Sequence, residues 1–324
     1  MTCNRTLLGC FASGRHTPIL LFVFSLLLML SAFWLPASVL PAQLPMEPPY
    51  LEGVASRFVS ALLYAVSAMV ISTQKFFDRR VRWVGSLYLC MVAIMLFANG
   101  NSMLALSSLL FVLSLVVLFA CQYSRNSVSL LFTAFMVLGS IIFVTPFALY
   151  LLPLYLVFCF FVNIFSLRGL LASILGLLTP FWLALGTEYV LSGNGVLANN
   201  VLVGLKGLFS FSASENSLLY IMLLAFALIL MLPAVIKFIG SALPAKTFLR
   251  RRLSFIMVAD AYLLLLCCFV GDVAVMFYFW HLPFLAVLAA YLFSGKETKL
   301  MNVYFIFINI VMVAIATQSL WLKQ

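Results

Sequence analysis

Apolar runs of about 20 residues, separated by short polar or charged punctuation, recur along the chain from residue 19 to residue 321. That length suits helices crossing a hydrocarbon layer roughly 30 Å thick. Reading each run between its punctuation predicts helices at about 19–40, 54–73, 83–98, 102–121, 128–145, 148–164, 169–190, 218–238, 255–271, 274–293 and 302–321. Three breaks follow from length. As one helix, residues 83–121 would measure roughly 58 Å, about twice the hydrocarbon thickness, so the chain must turn at Asn99, Gly100 and Asn101. Pro146 and Pro153 divide 128–164 because proline removes a backbone donor. Gly271 and Asp272 divide 255–293, since an aspartate is cheapest at an interface.

Composition agrees with this pattern. Of 324 residues 66% are hydrophobic and 8% charged, against about 25% charged in soluble domains. The predicted fold is therefore an all-α, polytopic integral membrane protein of about eleven transmembrane helices, forming a single transmembrane domain over 1–324. The basic start and the apolar run from Ile19 resemble a secretory leader, but the run exceeds a signal core and is read as an uncleaved first span.

The net charge of +10 adds orientation. With alternating spans and a cytoplasmic N-terminus, fifteen of the eighteen Lys and Arg residues fall on the inner side, including Arg79, Arg80, Arg168, Arg250, Arg251 and Arg252. Only Arg57, Lys206 and Lys323 fall outside. This bias predicts an N-in, C-out, multi-pass protein of the inner (cytoplasmic) membrane, with those six arginines as topology anchors. Arg168, alone among leucines and phenylalanines in "FSLRGLLASILGLLTPF", is expected to lay its stem along lipid and its guanidinium among water and anionic headgroups. Basic clusters placed as turns argue against nucleic acid as a partner.

Seven cysteines show no ligand spacing, and none falls in a predicted outer loop, so they read as small buried hydrophobes. Neither a metal nor a cofactor is expected. Two outer segments break the pattern of short loops. Residues 41–53 are proline-rich and carry Glu47 and Glu52; residues 196–211 read as a short helix lying in the outer interface. Gly169, Ala172, Ser173 and Gly176 form a small-residue face for close helix approach.

Candidate chemistry is sparse. Asp260 is an intramembrane acid, read as one and a half turns into its span on the cytoplasmic side, with no second intramembrane acid beside it. Near the outer face lie Glu47, Glu52, Asp272 and His281, the catalytic candidates. Arg57, Glu188 and Tyr189, together with Asp260, are the substrate-binding candidates. Acids around a lipid-lined outer cleft are the residue types that general-base chemistry needs. Walker, GxSxG and HExxH motifs are absent, and two histidines are too few for a multi-histidine iron site.

The stretches "TQKFFDRRVRWVGSLYL", "FVTPFALYLLPLYL" and "FSLRGLLASILGLLTPFWLALG" resemble a Bacteroidota family of polytopic inner-membrane proteins known by a domain-of-unknown-function label. The likeness covers roughly 55–190 and implies an envelope protein. It brings no catalytic residues. A fainter similarity is to membrane-embedded C-type glycosyltransferases, whose catalytic acid lies in the first outer loop, where Glu47 and Glu52 stand here. The first expectation for function is a non-enzymatic envelope component or scaffold. The alternatives are an enzyme, or remnant enzyme, acting on a lipid-linked sugar at the outer face, and a permease or flippase. Expected partners are membrane lipids, with other envelope membrane proteins or a lipid-linked saccharide.

Overall fold

The computed structural model describes residues 17–31, 54–74, 83–94, 101–122, 124, 126–162, 164, 166–191, 218–241, 247–269, 274–294 and 298–321. Among these residues the chain is helical, with no strand. Its α-helices are α1 (Thr17–Ser31), α2 (Val54–Thr73), α3 (Val84–Ile94), α4 (Ser102–Ala120), α5 (Ser127–Val144), α6 (Leu152–Val162), α7 (Leu167–Leu191), α8 (Leu218–Ser241), α9 (Thr247–Phe269), α10 (Ala274–Phe293) and α11 (Lys299–Trp321). Each matches one predicted run. Six of them, α2, α4, α5, α7, α8 and α10, are long and apolar enough to cross a membrane. The protein is thus a helical membrane protein. The proline-rich segment 41–53, the expected interfacial helix at 196–211 and anchors Arg79 and Arg80 lie outside the described residues.

Turn chemistry explains where the helices begin. Asn101 Oδ1 accepts from the Leu104 N–H at 2.9 Å, Ser166 Oγ from the Gly169 N–H at 3.1 Å, and Thr298 Oγ1 from the Met301 N–H at 3.2 Å. Each satisfies a donor that the first helical turn leaves unpaired. At the double-proline break α5 ends at Val144, Thr145 turns extended, and Pro146 opens a 3₁₀ turn, Pro146–Leu151, that leads into α6. One boundary differs from expectation. α9 starts at Thr247, not near 255, so the three arginines 250–252 lie inside the helix. Arginine is a good helix former, and a charged run at the end of an apolar one extends the helix instead of stopping it.

The bundle is organised around α10. In its span, Val275–Phe293, 89% is buried, against 22% for α7 at the periphery. α10 packs on α9, α8, α3 and α4, whereas α7 packs chiefly on α5. Aromatic rings fill the interior. Phe255 on α9 meets Phe158 of α6 at 4.9 Å, Phe119 of α4 at 5.9 Å and Phe284 of α10 at 6.2 Å, all edge to face, a favoured arrangement of ring quadrupoles.

At the α5–α7 seam the backbones nearly touch. A Cβ built on Gly139 would lie 2.4 Å from the Leu177 carbonyl oxygen, and one on Gly176 would lie 2.3 Å from that of Phe132. Gly85 of α3 stands equally close to the Ala68 carbonyl of α2. Small residues permit this approach where lipid offers no hydrophobic drive for association.

Three contacts tie helix ends together. Ser86 Oγ donates to the Pro18 carbonyl at 2.7 Å, joining the starts of α3 and α1. Lys237 Nζ donates to the Tyr291 and Leu292 carbonyls, each at 2.7 Å, at the end of α10. Arg252 reaches the end of α4: its Nη2 lies 3.2 Å from Gln122 Oε1 and 3.5 Å from the Phe119 carbonyl, with the guanidinium 4.9 Å above the Phe119 ring. In each basic case a cation meets the negative end of a helix dipole. Arg252 is buried at 5% exposure, while Arg168, Arg250 and Arg251 are exposed. Arg252→Gln is expected to lower stability by about 1.5–3 kcal/mol, the worth of hydrogen bonds from a charged donor. Thermal unfolding of the purified protein in detergent checks this.

Candidate functional site

α9 and α10 are consecutive helices joined through residues 270–273. Asp260 lies nine residues before the end of α9, and His281 seven residues after the start of α10. At 1.5 Å per residue both stand roughly 10–14 Å from the joined ends, close to half the depth of a hydrocarbon core. They meet there. His281 Nε2 is 2.9 Å from Asp260 Oδ1, and both side chains are fully buried.

The encounter changes the reading of both residues. Asp260 sits thirteen residues inside α9 and faces the interior, not the cytoplasmic interface. His281 turns inward to it and faces no outer cleft. The partner that Asp260 lacked among the acids is a histidine. The signal is present in the chain: 260 and 281 are almost equidistant from the Gly271–Asp272 break in the apolar pattern, and two consecutive antiparallel spans set such positions at equal height.

A carboxyl group and an imidazole in contact hold one proton in two ways, as carboxylate with imidazolium or as neutral acid with neutral base. Both forms are net neutral. That neutrality is what lets two ionisable groups occupy an apolar interior, where a lone charge costs several kcal/mol. Gain or loss of a further proton would leave a net buried charge. The 2.9 Å contact is not aligned as a hydrogen bond, and Asp260 Oδ2 and His281 Nδ1 have no hydrogen-bond partner among the described residues. Tyr278, one turn before His281, has its ring tilted against the imidazole with centroids 5.6 Å apart, and its hydroxyl lies 3.5 Å from the Leu223 carbonyl of α8.

A second polar group borders α10 on its other side. Tyr64 of α2, whose ring stacks on Phe279 at 5.6 Å, lies beside Ser108 of α4 and Tyr88 of α3. The Tyr64, Tyr88 and Ser108 hydroxyls and the Trp280 Nε1 complete no hydrogen bond among the described residues. Unsatisfied buried polar atoms are costly and uncommon, and here α2, α3, α4 and α10 each contribute one.

The other sequence-derived candidates among the described residues do not join this pair. Glu47, Glu52 and Asp272 lie outside the described residues. Arg57 is half-buried at the start of α2. Glu188 is buried and Tyr189 is 82% exposed near the end of α7, a helix with no substantial packing on α9 or α10. No cluster of three His, Cys, Asp or Glu side chains forms among the described residues. Described cysteines Cys90, Cys121, Cys159, Cys267 and Cys268 are free thiols. No family model, curated protein or solved structure matches this chain.

Proposed function

We propose that this chain is a proton-linked permease or flippase of the inner membrane, with eleven spans and its N-terminus inside. Its working element is the Asp260–His281 pair. The observation that carries the reading is an ionisable pair, fully buried and at mid-depth, on the most enclosed helix of the bundle. Intramembrane acids and histidines are the usual carriers of proton relays. Because a gained or lost proton unbalances a neutral pair, it favours a different packing of α9 against α10. That is the energetic link between protonation and a change of access. The three end-to-end contacts support the alternation of the spans, since alternation puts both members of each contact on the same side.

Two measurements test it. Infrared difference spectra of the lipid-embedded protein between acidic and alkaline buffer are expected to contain a carboxyl band that Asp260→Asn removes. Proteoliposomes under a pH gradient are expected to move protons faster than protein-free vesicles. Identical spectra for wild type and Asp260→Asn, together with flux no greater than in empty vesicles, would remove the proposal.

The second reading is a non-enzymatic envelope component that packs against other membrane proteins. What favours it is α7, whose exposed Leu167, Leu171, Ile174, Leu178 and Trp182 form an apolar stripe along a helix that is mostly uncovered. Photo-crosslinking from position 182 in cells, giving one discrete protein adduct, is the outcome that this reading requires.

A further inference from the structure

On the side of the bundle away from α10, a cavity of about 260 Å³ lies between α5, α6 and α7. Its walls include Leu131 and Phe135 of α5, Leu156 of α6, and Ser173, Ile174 and Leu177 of α7. The Ser173 hydroxyl is spent on the Gly169 carbonyl of its own helix at 2.9 Å, so the walls present almost nothing but carbon. Leu156 and Ile174 are 38% and 47% exposed, which opens the cavity sideways on the bundle's outer surface. Gly169 also lines it, and next to Gly169 stands the exposed Arg168, unpaired with any carboxylate among the described residues.

Size limits the occupant. One turn of a helix, about 10 Å across and 5.4 Å long, fills roughly 400 Å³, more than this cavity holds. A cavity of about 150 Å³ accepts benzene, so 260 Å³ admits a chain of about ten carbons. Charge limits it further: the exposed guanidinium of Arg168, next in sequence to the lining residue Gly169, favours an anion at the same end. We infer that the α5–α6–α7 groove is a binding site for one anionic phospholipid, with an acyl chain in the cavity and the phosphate on Arg168. Lipid hydrocarbon gains little by moving from one apolar surface to another, so Arg168 carries the selectivity. A basic side chain near an anionic headgroup is worth about a fivefold preference. The site is independent of the Asp260–His281 reading.

The experiment is native mass spectrometry of the full chain released from nanodiscs of equimolar phosphatidylglycerol and phosphatidylcholine. Wild type is expected to retain one phospholipid per chain, with phosphatidylglycerol enriched about fivefold. Arg168→Gln is expected to keep a lipid but lose the enrichment. Ser173→Phe, which fills the groove, is expected to retain none; if it fails to fold, Leu156→Trp blocks the groove from its exposed rim. Equal enrichment in wild type and Arg168→Gln, undiminished lipid in a folded groove-filling variant, or a lipid-free dimer overturns the site.

Discussion

His281→Leu is expected to destabilise the lipid-embedded protein by about 3–5 kcal/mol, because it strands a carboxyl group in the interior. Asp260→Leu is expected to cost less, since a neutral imidazole is a cheaper orphan than a carboxylate. The double variant, Asp260→Leu with His281→Leu, is expected to return to within about 1 kcal/mol of wild type or above it, as apolar replacements of buried pairs commonly do. Reversible unfolding in mixed micelles reads all three. Equal and additive losses would mean that the two side chains do not interact. The double variant also separates stability from function. It should fold and yet move no protons, because nothing in it binds one.

The second large effect belongs to the α5–α7 seam. Any side chain at Gly139 or Gly176 meets a facing carbonyl well inside contact distance, and backbone gives way less readily than a flexible side chain. Gly139→Ala and Gly176→Ala are each expected to lose about 1–3 kcal/mol through overpacking. Gly176→Leu should prevent α7 from docking. Gly186 on the same helix has nothing within 4 Å of its would-be Cβ. Gly186→Ala is therefore expected to be neutral or to stabilise by about 0.5–1 kcal/mol, from helix propensity alone. The order of melting temperatures among these variants checks the seam without knowledge of any ligand.

Much of this architecture can be read along the chain. Helices break at Asn101, at Pro146 and between 270 and 273, because caps, prolines and a lone aspartate act locally, and local chemistry is legible from one sequence. The start of α9 is harder to read, because Arg250, Arg251 and Arg252 look like a loop when counted as charges and behave as helix when their propensity is considered. Arg252 shows a further limit: its neighbours 250 and 251 stay exposed, and only the position of the α4 end makes it a buried clamp. The face of Gly176 was foreseeable, but its partner was not, since spacing within α7 cannot say which helix lies across from it. The Asp260–His281 contact sits between these cases. Equal distance from a turn predicts equal depth in a hairpin, but rotation about each helix axis decides whether two side chains face each other.

That contact is the centre of the account, and solid-state NMR tests it most directly. Protein with ¹⁵N-labelled histidine and ¹³C-carboxyl aspartate, reconstituted in lipid, is expected to show strong nitrogen–carbon dephasing from a nitrogen 2.9 Å from a carboxylate oxygen. The signal should vanish in His281→Asn. Wild-type protein without that dephasing would contradict the pair and the proton-linked function built on it.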